Sequence, residues 1–240
     1  GNAVQIRRSR VELNDFIDSA RAISSERDLD SLYDILLSKF RELTHADAAT
    51  LYLVQGNGPM DGRFLSFEHA QNDSVHFESK KFEIPISRSS MAGAAALDGE
   101  VINIPDVRNM DESLGFRHNM SFDEQTGYQT ISVVSVPMIT QKCEVVGVLQ
   151  LINKKRNFRE LLFEPKDFVE QVVPFDARSI ALVRIFAAQA AASLENTRLY
   201  NEITDILEGF VTAAVHAIEQ RDPPTSGHSN RVAALTCELA

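Results

Sequence analysis

Residues 131–152 read ISVVSVPMITQKCEVVGVLQLI, and the rest of the chain can be read outward from them. Residues 131–139 are nearly continuous in apolar side chains, and residues 145–152 are again rich in Val, Leu and Ile. Such runs predict two strong strands, and residues 140–144 between them predict a hairpin turn. Upstream, residues 48–54 are rich in β-forming residues and predict another strand. Gly56, Gly58, Pro59 and Gly62 follow as a turn. Residues 63–69 and 76–86 read as the next strands. Residues 89–97 read as a short helix of small side chains, followed by the turn Asp98-Gly99. Residues 101–104 form a short strand that Pro105 stops. Residues 106–129 are polar and irregular.

Helices flank this centre. Residues 4–24 place Leu13, Phe16, Ala20 and Ile23 on one helical face. Asp28 or Asp30 can cap a second helix, with Leu32, Ile35, Leu36, Phe40 and Leu43 as its apolar face. After a long, partly apolar loop over residues 155–174, the chain turns helical again from residue 177. Leu182, Ile185, Gln189, Ala192, Asn196, Leu199, Ile203, Ile206, Phe210, Ala213 and Ala217 alternate steps of three and four, as in a heptad seam. A continuous helix over some 40 residues would be about 60 Å long, more than one small domain needs. Two readings stand: the first half packs on the sheet and a break follows, or the helix leaves the domain and pairs with its copy. Polar Gln189 and Asn196 at seam positions suit the second, because such residues fix register. Helices flanking antiparallel strands make the fold α+β.

Composition bounds the function. The chain has 240 residues, a net charge of −10, 44% hydrophobic and 24% charged residues. That excess of negative charge argues against nucleic acid and anionic membranes as partners, because phosphates are repelled. Cys143 and Cys237 are isolated, which reads as reduced thiols and a cytoplasmic setting. No apolar run in the sequence approaches the roughly 18 residues of a membrane span, so no membrane contact is expected. No nucleophile elbow, phosphate-binding glycine loop or His–carboxylate pairing is apparent, and His45, His69, His76, His118 and His216 are scattered. An enzyme in its own right is therefore not expected, and no cofactor is expected in this chain.

Four segments together resemble a GAF domain, most closely the cyclic-nucleotide-binding GAF domains of phosphodiesterases: VINIPD (101–106), FDEQTGYQT (122–130), VVGVLQLINK (145–154) and AAQAAASLEN (187–196). The resemblance implies a central antiparallel sheet with flanking helices, and a pocket closed by the irregular segment. It also implies a ligand set. Met91 and Ala92 would offer backbone amides to a cyclic phosphate. Asn119, Asp123, Thr126 and Thr130 would lie on the lid, and Gln150 would face the pocket from a strand. A helix start favours an anion, Asp123 can accept from a purine amine, and threonines donate and accept. Asp123 and Thr126 could equally serve as turn caps. In the family the Asn-Lys pair is followed by Phe, three residues and Asp-Glu, with a Lys–Asp bridge behind the lid. Here Asn153-Lys154 and Phe175 are present, but Ser179-Ile180 stand where Asp-Glu would be, leaving Asp176 as the only substitute. A cyclic nucleotide, another small ligand and a ligand-free dimerisation module all remain open. Bilin attachment would need a better placed Cys, and haem would have to use His118.

A second resemblance begins near Ile206. AIEQRDPPTSGHSNRV (217–232) resembles the opening of an HD-GYP domain, a family that hydrolyses cyclic di-GMP with metal ions such as Fe or Mn. The metal cluster needs His and Asp residues that do not occur before Ala240. His228 matches an accessory metal position, but Pro224 stands where Glu would support it. The expected organisation is an N-terminal helix and linker over 1–28, a GAF sensor over 29–202, and an incomplete HD-GYP start over 203–240. Homodimerisation is expected through helices 4–24 and 177–220. The expected role is control of a downstream phosphodiesterase, with a ligand-free scaffold as the alternative.

Overall fold

The computed structural model describes residues 23, 26–56, 62–77, 81–116 and 118–221. Helix α1 spans Leu29–Thr44. Asp28, not Asp30, is its cap: the Asp28 carboxylate accepts from the Ser31 amide at 2.8 Å. Leu32, Tyr33, Leu36, Leu37 and Phe40 turn inward, with Ile35 and Leu43 packed at the margin.

The strands are β1 Ala46–Gln55, β2 Phe64–Asn72, β3 Glu83–Pro85, β4 Ile102–Ile104, β5 Val133–Ile139, β6 Val145–Lys155 and β7 Val172–Val173. They form one antiparallel sheet in the order β3-β2-β1-β6-β5-β4, with β7 added to β6. The hairpin read from residues 131–152 is its centre, with Val134 opposite Leu151 and Val136 opposite Leu149. Alternation along these strands splits the interior in two. Leu51, Val134, Val136, Leu149 and Leu151 face α1 and the start of helix α5, Ala177–Arg221. On the other face Tyr52 and Val148 lie under helix α2, Met91–Asp98, against Ala92, Ala95 and Ala96. Small residues let α2 sit close. A Cβ on Gly93 would lie 2.6 Å from the carbonyl oxygens of both Pro85 and Ser87.

Several expectations change. Of the strand expected over residues 76–86, only β3 forms among the described residues. The Asn72 side chain accepts from the amides of Ser74 and Val75 at 2.8 and 3.0 Å and turns the chain out of the sheet. The loop over 155–174 carries helix α4, Pro165–Gln171, started by a capping box between Glu164 and Asp167 with Pro in the first turn. Its Leu162 and Phe168 are buried against Tyr128 and Ile131. The irregular segment contains two short 3-10 turns and helix α3, Ser121–Thr126.

Helix α5 runs its 45 residues without the break allowed for. The face it packs on the sheet is Val183, Phe186, Ala187, Ala190, Ala191 and Leu194. The heptad-like seam therefore lies about 100° around the helix from the core face, one residue away. Ile185 on that seam is 56% exposed. The chain divides into two compact units between Glu195 and Asn196. In the second, Leu199, Ile203, Ile206 and Phe210 are exposed, and Tyr200, Leu207 and Val211 with them. Contrary to the reading of the sequence, a window within Ala177–Ala217 is long and apolar enough to cross a membrane, with mean hydropathy 1.2; 44% of it is buried within the fold. Apart from Ile23, which is helical and buried in the core, the helix expected over residues 4–24 lies outside the described residues, as do the Gly58-Pro59 turn and the region of Pro223, Pro224, His228 and Cys237.

Candidate ligand site under the lid

The lid is residues 107–130, and its end is fixed by one side chain. Asn153, buried on β6, accepts from the Ile131 amide at 2.8 Å and the Ser132 amide at 3.3 Å, and donates to the Gln129 carbonyl at 2.8 Å. Its backbone is left-handed, φ 55°, a conformation Asn tolerates better than most residues. Thr130 is held next to this clamp, buried.

Thr130 makes two bonds to Asp123 on α3. Its amide donates to Oδ2 at 2.9 Å, and its hydroxyl to Oδ1 at 2.8 Å. His118 Nε2 lies 3.1 Å from the same Oδ2. Gly127, in left-handed backbone, ends α3, and its amide donates to the Asp123 carbonyl. The Asp123 carboxylate is thus the hub that folds the lid back on itself. Thr126 donates to the Phe122 carbonyl at 2.8 Å and accepts from the Tyr128 amide at 3.2 Å. Asn119 accepts from the Ser121 amide at 3.0 Å. Both therefore act as the local caps their residue types allow.

These elements enclose a cleft of about 880 Å³, lined by Val107, Arg108, Met110, Asp111, Gly115, Phe116, His118, Met120, Asp123, Glu124, Gly127, Tyr128, Gln129 and Thr130. The volume suits a small molecule. Arg108 is engaged bidentately by Asp106, Nε and Nη2 each at 2.8 Å, and this hydrogen bonding holds the Asp106 carboxyl below its ordinary range. Asp111, Asp123 and Glu124 add negative charge, and Phe116, Met110 and Met120 supply apolar wall. Burial pushes the Tyr128 hydroxyl well above its usual range, with the Asp47 charge adding to it, so it remains a donor. Among the described residues no group of three or more His, Cys, Asp or Glu side chains is placed to hold a metal.

Of the seven residues carried by the resemblance, Asp123 and Thr130 meet in the cleft. Met91 and Ala92 begin α2 but are buried in the apolar clusters, Met91 with Phe116 and Ala92 with Tyr52, and neither lines the cleft. Gln150 sits on the sheet face below the lid, but its amide donates to Ser135 Oγ at 3.0 Å and it does not line the cleft either. Asn119 and Thr126 also stay off the wall. The sequence places His118 among scattered histidines, with a role only as the residue a haem would have to use. Its one local signal is a separation of five residues from Asp123. Behind the lid, Lys154 Nζ meets Asp176 Oδ2 at 2.6 Å, so Asp176 does take the place of the absent Asp-Glu pair.

The GAF domain family model matches residues 28–194. This chain belongs to the GAF domain family. A GAF domain is a small-ligand-sensing regulatory module with homologues in cyclic-nucleotide phosphodiesterases. The dual 3',5'-cyclic-AMP and -GMP phosphodiesterase 11A of Takifugu rubripes is 26% identical over 196 residues, covering 80% of this chain and 21% of that protein. The cGMP-specific 3',5'-cyclic phosphodiesterase of Drosophila virilis is 26% identical over 193 residues, covering 77% of this chain and 19% of that protein. The chain thus spans about a fifth of the length of these relatives. The GAF domain of a Coxiella burnetii phosphoenolpyruvate-protein phosphotransferase has the same fold, with a TM-score of 0.58 at 16% identity, covering 79% of this chain and 96% of that one. The corresponding Acinetobacter GAF domain gives 0.56 at 14% identity, covering 80% and 98%.

Proposed function

We propose that this GAF domain binds a cyclic nucleotide under its lid and passes the change to a downstream enzyme through α5. The observation that carries the reading is the meeting of Asp123 and Thr130 on the wall of the lid cleft. Kinship with the GAF-containing phosphodiesterases supports the class of ligand. Asp123 would accept from a purine amine in exchange for one of its present donors. Met91, Ala92 and Gln150 would contribute once a ligand separates the lid from α2 and the sheet. The resemblance of residues 217–232 to an HD-GYP opening supports a cyclic di-GMP phosphodiesterase, with divalent metal ions in its own domain, as the downstream enzyme. The module works in the cytoplasm as a homodimer, paired along the exposed seam of α5. The ligand can bias the output only through unequal affinity for two arrangements of that helix.

A thermal melt against cyclic AMP, cyclic GMP and cyclic di-GMP tests this. A ligand at a hundred times its Kd stabilises by about 2.7 kcal/mol, which is a rise of roughly 5–10 °C for a chain of this size. The expected result is a selective rise with one nucleotide that Asp123→Ala and Thr130→Ala abolish. No rise with any of them overturns the nucleotide reading. One observation favours the alternative of a ligand-free dimerisation module: Asp123 is already satisfied by Thr130 and His118.

A further inference from the structure

Asp47 lies at the start of β1 with its side chain wholly buried, and three segments distant in sequence meet on it. Tyr128, in the lid, donates its hydroxyl to Oδ2 at 2.8 Å. Ser74, in the turn after β2, donates to Oδ1 at 2.9 Å and accepts from the Leu162 amide at 2.8 Å. Lys155, also wholly buried, ends β6. Its ammonium pairs with Oδ1 at 2.8 Å, donates to the Glu160 carbonyl at 2.7 Å and lies 3.6 Å from Asp73. The apolar contacts follow the same connection. The Tyr128 ring packs edge-on against Phe168 of α4 at 5.3 Å and against Phe122 of α3 at 6.0 Å.

A buried carboxylate tolerates the loss of a donor poorly, because no water stands ready to replace it. If the lid withdraws Tyr128, Asp47 Oδ2 loses its donor, while Oδ1 keeps Ser74 and Lys155. Leu162 and Phe168, which are buried against Tyr128, lose a packing partner at the same time. If residues 158–162 withdraw instead, Ser74 and Lys155 lose the partners that orient them on Asp47, and the Tyr128 bond weakens. We propose that Asp47 is a clasp between the lid and the segment over residues 156–173, so that displacing either loosens the other. The dependence is reciprocal, as any coupling free energy must be. It gives the lid a mechanical partner other than the ligand. Its place in signalling rests on the ligand-sensing reading, but the clasp itself does not need a ligand.

Amide hydrogen exchange on the full chain, without ligand, tests the clasp separately from ligand binding. Tyr128→Phe removes one hydroxyl and keeps the ring. Exchange is expected to quicken in both 121–130 and 158–163 by roughly tenfold or more beyond the change in the central strand 145–152, which reports only the loss of global stability. Quickening confined to 121–130, or no quickening, overturns the proposal. Quickening by the same factor in 145–152 as in the two segments also overturns it, since that marks a general loss of stability alone. Ser74→Ala approaches from the other side and carries the test alone if Tyr128→Phe does not fold. It should quicken the same two segments, and a change limited to 158–163 would refute the coupling.

Discussion

Lys154 Nζ lies 2.6 Å from Asp176 Oδ2 and 2.8 Å from Ser179 Oγ, so the end of β6 is tied to the foot of α5. The other Asp176 oxygen accepts from the Ser179 amide at 2.7 Å and caps the helix. The clamp residue Asn153 is the immediate neighbour of Lys154. The lid end and the foot of α5 are thus held by consecutive residues of one strand.

The Asp176 carboxyl is lowered to about 2, first by its hydrogen bond to Lys154 and then by the Ser179 amide. A lowered carboxyl stabilises the fold above its unfolded value, and that contribution is lost as pH falls from about 4 towards 2. The Asp176 side chain is 60% exposed, so solvent screening limits the effect to about 1 kcal/mol or less. Asp176→Asn keeps a capping oxygen and removes the charge. Its melting temperature should fall below that of the parent at pH 6, and the gap should close by pH 2. A gap that persists unchanged to pH 2 would show that the charge is not the cause.

The buried pair of Asp47 and Lys155 should respond unequally to truncation. Asp47→Ala strands Lys155 in the interior and should cost about 3–5 kcal/mol in urea unfolding. Tyr128→Phe removes a single hydrogen bond to a charged acceptor and should cost about 1.5–3 kcal/mol. Equal losses for both would mean that the Tyr128 hydroxyl, rather than the pairing with Lys155, carries what Asp47 contributes.

Close backbone approach predicts two sensitive glycines. A Cβ on Gly147 would lie 2.4 Å from the Tyr52 carbonyl oxygen, and on Gly93 it would meet two carbonyls at 2.6 Å. Backbone cannot swing aside as a flexible side chain does. Gly147→Ala and Gly93→Ala should each destabilise by about 1–3 kcal/mol, read as a lower denaturation midpoint with an unchanged slope. Alanine at Gly127 meets nothing within 4 Å, so its cost should come from the positive φ alone.

The proposed pairing along α5 predicts a change of mass. Ile203 and Phe210 are 58% and 71% exposed. Ile203→Glu with Phe210→Glu places charges in the seam and should convert a dimer to a monomer in sedimentation, with the melting of the sheet domain little changed. A parent chain that already sediments as a monomer would end the pairing proposal.

Much of the element pattern was legible because it is local. The apolar runs at 131–139 and 145–152, the small residues of 89–97 and the Asp98-Gly99 turn each depend on neighbours within a few positions. The strand expected from residue 76 failed for an equally local reason: the Asn72 cap outweighs the β-forming residues that follow. On α5 the sequence carries the heptad spacing, but the adjacent stripe of Val183, Phe186, Ala190 and Leu194 is the one the sheet buries. Both stripes have helical spacing, and only a facing surface can choose between them. At the site, the lid position of Asp123 and Thr130 came from the resemblance, while Thr126 and Asn119 follow their intrinsic capping tendency.

By itself the sequence determined the antiparallel hairpin at the centre, the helices around it and the polar segment that becomes the lid, because hydrophobic period and turn chemistry act over a few residues. Tertiary structure alone decided that Asp123 folds onto Thr130 and His118, that Asp176 supplies the bridge to Lys154, and that Asp47, paired with Lys155, meets Tyr128 across 81 residues of sequence. Charged and polar side chains find partners by distance in space. That distance is set only when the sheet brings β1, the lid and the end of β6 together.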